Sequence, residues 1–349
     1  MREGIALTAF TERGRELAIT LAAAIGGCIR EQDRPLADWT AESFLSCEAL
    51  IFVGAVGIAV RSIAPHIRSK ASDPAVVCVD ETGRFVVPIL SGHLGGANAL
   101  AKQIAALTGG EAVITTATDL NQLFAVDLWA KAQNMAILQP ELIKNVSAKI
   151  LRGEMITVDC PEPIAGTAPE LVRLGRDADV IVSYRRREPH NHCHCEPVTD
   201  VTGVAIRPPE ALQLVPRVLT LGVGCRRGTS AEALEAVYTA FCAERGIVPE
   251  AIEGAASIDL KQNETGLLAF CEAHGWPLRF YSAQQLHGTP GDFTASAFVE
   301  SVTGVDNVCE RAAVLASGGR LIERKYAHSG VTFALAERKR EYDWSWRNG

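Results

Sequence analysis

The sequence predicts an α/β protein: two layered α/β domains with mainly parallel sheets, joined by a smaller middle domain. Three observations carry this. Short apolar runs rich in β-branched residues recur along the chain, at 49–53, 75–80 and 218–224 among others, each the length of a buried strand. Between them lie longer stretches with apolar residues at helical spacing, as at Leu94, Ala97, Ala101, Ile104 and Leu107. Glycine-rich and polar loops stand repeatedly where a strand hands over to a helix, the end of an open α/β sheet at which ligands bind.

At 349 residues the chain has room for two or three domains. The alternation divides it into 1–130, 131–216 and 217–340. With 48% hydrophobic and 21% charged residues it has an ordinary globular composition. A mean hydropathy of +0.11 raises the question of a membrane. The longest apolar run, 49–60, is about twelve residues broken by two glycines, too short to span a bilayer. The first residues carry no signal-peptide core before charges resume at Glu12, so a cytoplasmic location is expected. A net charge of −7 without a basic, aromatic-interleaved stripe argues against nucleic acid as partner. The 10 cysteines stand mostly singly in apolar segments and form no Cys-x-x-Cys, so no zinc ribbon or dithiol centre is expected.

Taken in order, residues 4–10 read as a strand and 13–28 as an alanine-rich helix. Strand 49–53 runs into Gly54-Ala55-Val56-Gly57, a turn opening a helix that carries Arg61. Strands 75–80 and 84–90 are joined by Glu81-Thr82-Gly83, a hairpin-type turn. Ser91 is the expected cap of the next helix. Gly95 and Gly96 fall in its first turn, where each costs about 1 kcal/mol relative to alanine. That cost suits a backbone that something must approach closely, with Gly92, His93 and Asn98 beside the opening. A tight strand–helix crossing beside a surface histidine fits the same pattern. Strand 112–115 ends in Thr115-Thr116-Ala117-Thr118-Asp119, a hydroxyl-rich loop with one carboxylate, and a helix follows from about residue 121.

The signal weakens over 131–216, where a helix at 140–151 and strands near 155–159 and 179–183 are separated by prolines. Alternation resumes with strand 218–224 and a helix to about residue 245, for which Thr229 and Glu232 are spaced as a capping box. Strand 255–260, a helix to about 274, strand 278–281, helices 296–302 and 308–317, and strands 320–326 and 331–336 complete the domain. The charged tail, 337–349, is expected to pack loosely or not at all.

Of the strand-end loops, Gly222-Val223-Gly224-Cys225-Arg226-Arg227-Gly228-Thr229-Ser230 carries the most chemistry. Its glycines free backbone N–H groups beside a helix start, which favours anions. Arg226 and Arg227 add fork-shaped donors suited to carboxylate or phosphate; two solvated arginines beside a tight turn are the plainer alternative. The third glycine falls one residue late for a dinucleotide fingerprint, and no Walker lysine is present. Asp259, Lys261 and Glu264 cluster at the next strand–helix junction. Lys261 there can bind a carboxylate or polarise a carbonyl, and Glu264 can serve as a general base if burial tunes it. A helix-start acid paired with a lysine reads the same way. The segment His190-Asn191-His192-Cys193-His194-Cys195 can chelate a divalent metal without any fold, and opportunistic binding is the reading preferred over a catalytic metal centre.

Taken in series, Gly54–Arg61, Ser91–Asn98 and Thr115–Asp119, then Gly222–Ser230, Ser257–Lys261 with Glu264, Thr303-Gly304-Val305 and Val308-Cys309-Glu310, resemble the CbiG family of anaerobic cobalamin biosynthesis across both outer domains. Arg311 stands where that family tends to have proline, and Ala297 where it tends to have an acid. The resemblance implies hydrolysis of cobalt-precorrin-5A: opening of a δ-lactone on the contracting corrin ring, with the ring-bridging carbon and its methyl leaving as acetaldehyde to give cobalt-precorrin-5B.

It implies a cobalt-corrinoid intermediate as partner, with other enzymes of the pathway and a second copy of the chain as further partners it admits. No protein cofactor or metal is implied, because the cobalt arrives in the substrate. The five loops are then the substrate-binding segments, through Gly54, Gly57, Arg61, Ser91, Gly92, Gly95, Gly96, Asn98, Thr116, Asp119, Gly222, Gly224, Cys225, Arg226, Arg227, Gly228, Thr229, Ser230 and Asp259. A cleft between the outer domains is expected, lined by Arg61, Arg226, Arg227 and Lys261. His93 is the first choice of general base and Glu264 the second, with Lys261 beside them and backbone N–H groups near Gly95 or Gly228 as oxyanion donors. The competing readings are a corrinoid carrier without chemistry, a nucleotide-dependent enzyme, and a metalloprotein built on 190–195.

Overall fold

The computed structural model describes residues 4–69, 72–93, 95–116, 123–186 and 211–346. Three sheets follow one another along the chain. The first is built from β1 (Ile5–Ala9), α1 (Glu12–Ile25), β2 (Gly27–Ile29), α2 (Leu36–Ser46), β3 (Ala49–Val53), α3 (Val56–Ile63), β4 (Ala75–Val79), β5 (Phe85–Leu90), α4 (Ala97–Thr108) and β6 (Glu111–Ala112). Its strand order is β2-β1-β3-β4-β5-β6, parallel except for the β4–β5 hairpin. Every residue of β3 and β4 is buried, as expected of strands covered by helices on both faces. α2 has no side-chain cap and follows Pro35, so it lacked a start signal in the sequence. It nevertheless buries Trp39 and Phe44.

The middle segment is more than a connector. It contains α5 (Val126–Ala132), β7 (Met135–Ile137), α6 (Ile143–Leu151), β8 (Ile156–Asp159), β9 (Ile164–Ala165), β10 (Val172–Leu174), β11 (Val180–Val182) and β12 (Leu212–Pro216), of which all the strands but β9 form a five-stranded sheet of order β10-β8-β11-β12-β7. The expected helix start near 121 lies outside the described residues.

The third sheet comes from β13 (Leu219–Cys225), α7 (Ala231–Arg245), β14 (Ile252–Ile258), α8 (Thr265–Ala273), β15 (Leu278–Tyr281), α9 (Ala283–His287), α10 (Ala297–Thr303), α11 (Cys309–Ser317), β16 (Arg320–His328) and β17 (Val331–Glu337). The order is β15-β14-β13-β17-β16. The first three strands are parallel, and the β16–β17 hairpin is antiparallel to β13. The second and third sheets share packing, since Val215, Ala136, Leu138 and Tyr184 join the core of the third.

Three local expectations are corrected. Ser91 does not cap α4. It has a φ of 56° and lies before a turn whose last residue, Gly96 at φ 85°, is the cap position. The cap of α7 is Ser230, whose Oγ accepts from the Ala233 N–H at 3.3 Å, while the Thr229 hydroxyl donates to the Arg226 carbonyl. The tail is held in place as far as it is described, to residue 346. β18 (Tyr342–Asp343) pairs with β9, and Trp344 stacks on Trp129 at 5.2 Å between centroids. The Trp129 indole N–H donates to the Asp343 carbonyl at 2.7 Å. Charged residues around these aromatics masked two core side chains.

Candidate active site

The loop after β13 forms one wall of a cavity of about 980 Å³, at the upper end of ligand-pocket sizes. All its lining residues fall within 224–332. Of the predicted residues it takes Gly224, Cys225, Arg226, Arg227, Lys261 and Glu264. The expected cleft lined jointly by these and Arg61 is not what the cavity shows. Arg61 is exposed on α3, its guanidinium folded back over Gly57.

The reason this loop holds its shape is local. The Gly228 N–H donates to Glu264 Oε2 at 2.9 Å, and the Lys261 ammonium donates to Glu264 Oε1 at 3.0 Å. The Gly228 N–H, then Lys261, hold the Glu264 carboxyl below its ordinary range. With both oxygens engaged, Glu264 clamps two strand-end loops together. The N–H of Gly228 is likewise committed and not open to an oxyanion. Gly266 permits α8 to approach the loop: a Cβ there would lie 2.0 Å from the Thr229 carbonyl oxygen.

Gly222 turns out to be a packing residue. A Cβ on it would meet the Cys309 carbonyl oxygen at 1.8 Å, so its absence lets α11 cross directly on β13. Gly228, Thr229, Ser230 and Asp259 shape the surrounding loops but do not line the cavity.

Sequence reasoning missed the contribution of the β16–β17 hairpin. Lys325 and His328 from β16 line the cavity, as does Asn307. Asn307 is 1% exposed; its Oδ1 accepts from the Glu310 N–H and its Nδ2 donates to the Thr294 carbonyl. The fully buried Glu310 carboxylate accepts from the Thr294 N–H and hydroxyl and from the Lys325 N–H, all within 2.8 Å. Two polar side chains among Val305, Val308 and Cys309 were the available signal that this stretch is an internal brace. The floor is apolar, from Ile258, Val299 and Val308, and the rim carries Leu260 and Val302, each more than 60% exposed. The cavity thus combines an apolar floor with Arg226, Arg227, Lys261 and Lys325 against one carboxylate, a lining suited to an anionic group borne on an apolar body. Burial, the largest influence on it, pushes the Cys225 thiol above its ordinary range.

The second cluster lies at the turn after β5. Gly95 is required there, since a Cβ would meet Ser91 Cβ at 2.3 Å. The Ser91 hydroxyl donates to the Asp73 carbonyl, and the N–H groups of Ala97 and Asn98 donate to the carbonyls of Ser91 and Gly92. A Cβ on Gly92 would lie 2.8 Å from Asn98 Oδ1, and Asn98 Nδ2 donates to Thr116 Oγ1 at 3.2 Å. This braced turn presents His93, whose Nδ1 faces Asp127 Oδ2 of α5 at 3.3 Å, with both side chains at most 15% exposed. The second Asp127 oxygen accepts from the Leu128 N–H. Asp127 was missed because an acid in a helix's first turn looks like end-charge chemistry. Gly54 belongs to neither cluster: it makes room for the Phe10 ring. Asp119 and the segment 190–195 lie outside the described residues. No described helix is long and apolar enough to cross a membrane.

The family model described as cobalamin synthesis G N-terminal matches residues 38–119, and that described as cobalamin synthesis G C-terminus matches residues 219–336. A cobalt-precorrin-5A hydrolase of Salmonella typhimurium (strain LT2) is 34% identical, covering 95% of this chain and 97% of its own. One from Priestia megaterium is 33% identical over 84% of this chain and 79% of its own. Among solved structures, CobE, a protein from the cobalamin (vitamin B12) biosynthetic pathway, is 32% identical over 35% of this chain and 91% of its own, with a TM-score of 0.33. Matched in both modules, and by a relative spanning nearly its whole length, the chain belongs to the CbiG family of cobalamin synthesis proteins.

Proposed function

We propose that the protein is a cobalt-precorrin-5A hydrolase, opening the δ-lactone of that cobalt corrinoid and releasing acetaldehyde to give cobalt-precorrin-5B. The observation that carries this reading is the cavity of 224–332, with its apolar floor and four cationic side chains. A contracting corrin ring is flat, large and fringed with carboxylates, and such a cavity takes its face on aliphatic side chains and its fringe on Arg226, Arg227 and Lys325. The names borne by relatives at 33–34% identity favour hydrolysis over carriage alone.

We assign the chemistry to the turn at His93, acting on an edge of the macrocycle that extends beyond the cavity of 224–332. Asp127 orients the imidazole through Nδ1, so Nε2 takes a proton from water as it attacks the lactone carbonyl. The C–O bond of the lactone breaks and leaves an alkoxide. Collapse of that alkoxide to acetaldehyde breaks the carbon–carbon bond, and the electron pair passes to the conjugated ring. Glu264, its oxygens occupied, holds the loop and takes no proton. Cobalt enters as part of the substrate. Anaerobic incubation with cobalt-precorrin-5A tests the reading: acetaldehyde and a matching mass loss from the corrinoid are expected, and tight binding without acetaldehyde would make the protein a carrier.

A further inference from the structure

The cavity holds a side chain that the lactone chemistry does not use. His328 ends β16 at the tip of the β16–β17 hairpin, where it pairs with Val331. Ser329 at φ 49° and Gly330 at φ 81° make the turn, two successive left-handed residues as short hairpins require. Arg226 pins the turn. Its N–H donates to the Gly330 carbonyl at 3.1 Å, and its side chain lies where a Cβ on Gly330 would come within 2.8 Å. The imidazole is therefore carried on a braced turn beside the cationic loop. Its Nδ1 lies 3.0 Å from Ser329 Oγ, and Nε2 makes no hydrogen bond among the described residues. His328 is exposed and lines the cavity.

A corrinoid's ring nitrogens fill the equatorial positions of its cobalt, so the metal needs one axial donor and not a cluster. Among the described residues no group of three or more His, Cys, Asp and Glu side chains is placed to hold a metal. Of the other lining groups, burial holds the Cys225 thiol above its ordinary range and Lys261 is paired with Glu264. An imidazole nitrogen is the donor that suits a late first-row metal.

We propose that His328 Nε2 is the protein's axial ligand to the cobalt of the bound corrinoid, with Nδ1–H donating to Ser329 Oγ to fix the tautomer. This rests on the corrinoid reading of the cavity. It gives the site a means of seating the macrocycle by its centre as well as its fringe, and so of fixing which edge carries the lactone outward.

The test uses the full chain and cobinamide, a corrinoid with no nucleotide base of its own, in the cobalt(II) state under anaerobic conditions. Electron paramagnetic resonance of the wild-type complex is expected to show each cobalt line split in three by one nitrogen. His328→Ala is expected to abolish the splitting and weaken binding on the order of tenfold. Ser329→Ala is expected to keep the splitting with weaker binding. The inference is overturned if the wild-type complex lacks the splitting, if His328→Ala retains it, or if cobinamide does not bind. Acetaldehyde release from cobalt-precorrin-5A judges the activity separately in each case.

Discussion

Replacing Asp127 by Asn changes one atom and should disable the base. In the wild type one carboxylate oxygen accepts from the Leu128 N–H at 3.0 Å and the other faces His93 Nδ1 at 3.3 Å. Asn has a single carbonyl oxygen, and the Leu128 N–H holds it in place. The new NH₂ then points at His93 Nδ1 and makes that nitrogen an acceptor. The ring proton moves to Nε2, the atom that must receive the proton from water. A hydrogen bond to a charged group in a setting this sheltered is worth about 1.5–3 kcal/mol. Lost from the transition state, that is roughly a ten- to hundredfold fall in kcat. KM should stay within about twofold, since Asp127 acts through His93 and not on the bound corrinoid. Steady-state acetaldehyde release, coupled to an aldehyde dehydrogenase, reads both constants. Wild-type kcat in Asp127→Asn, with the variant folded by circular dichroism, would refute the orienting role.

Gly222→Ala must force α11 off β13, because the obstacle is the Cys309 backbone carbonyl at 1.8 Å and not a movable side chain. A loss near 3 kcal/mol in urea unfolding is expected, and an unchanged midpoint would contradict the packing role. Glu264→Gln should lower the melting temperature at pH 7. The Glu264 carboxyl is held below its ordinary 4.5, so its contribution is present above that pH and lost as pH falls through its folded value. The gap between wild type and variant should therefore close below about pH 4.5; a constant gap would show that the carboxylate's charge is not what the loop uses. Trp344→Ala removes a buried, stacked side chain and is expected to cost about 3–5 kcal/mol, read by thermal unfolding. A variant as stable as wild type would return the tail to the loosely packed state its charges suggest.

Much of the architecture was legible because strands such as Ala49–Val53 and Ala75–Val79 are buried on both faces and carry no polar residue to obscure them. The loop from Gly222 to Ser230 announced its cations through sequence alone. What it could not announce was the use of each glycine: Gly222 and Gly224 look alike, yet one meets a helix backbone and the other lines the cavity. Long-range partners were invisible for the same reason. Asp127 lies 34 residues from His93, and Lys325 and His328 reach the cavity only because β17 pairs antiparallel with β13 and brings the β16–β17 hairpin beside the Arg226 loop. The tail misled because its two tryptophans sit in a charged run whose composition resembles a solvated end.

In the proposed division of labour, the cavity of 224–332 holds the corrinoid and the His93 turn opens its lactone. His93→Ala tests both halves at once in a single-turnover experiment with cobalt-precorrin-5A. The variant is expected to bind the corrinoid within a few-fold of wild type while acetaldehyde release falls at least about a hundredfold, the usual loss when a general base is removed. Release at the wild-type rate would contradict it and move the chemistry away from His93.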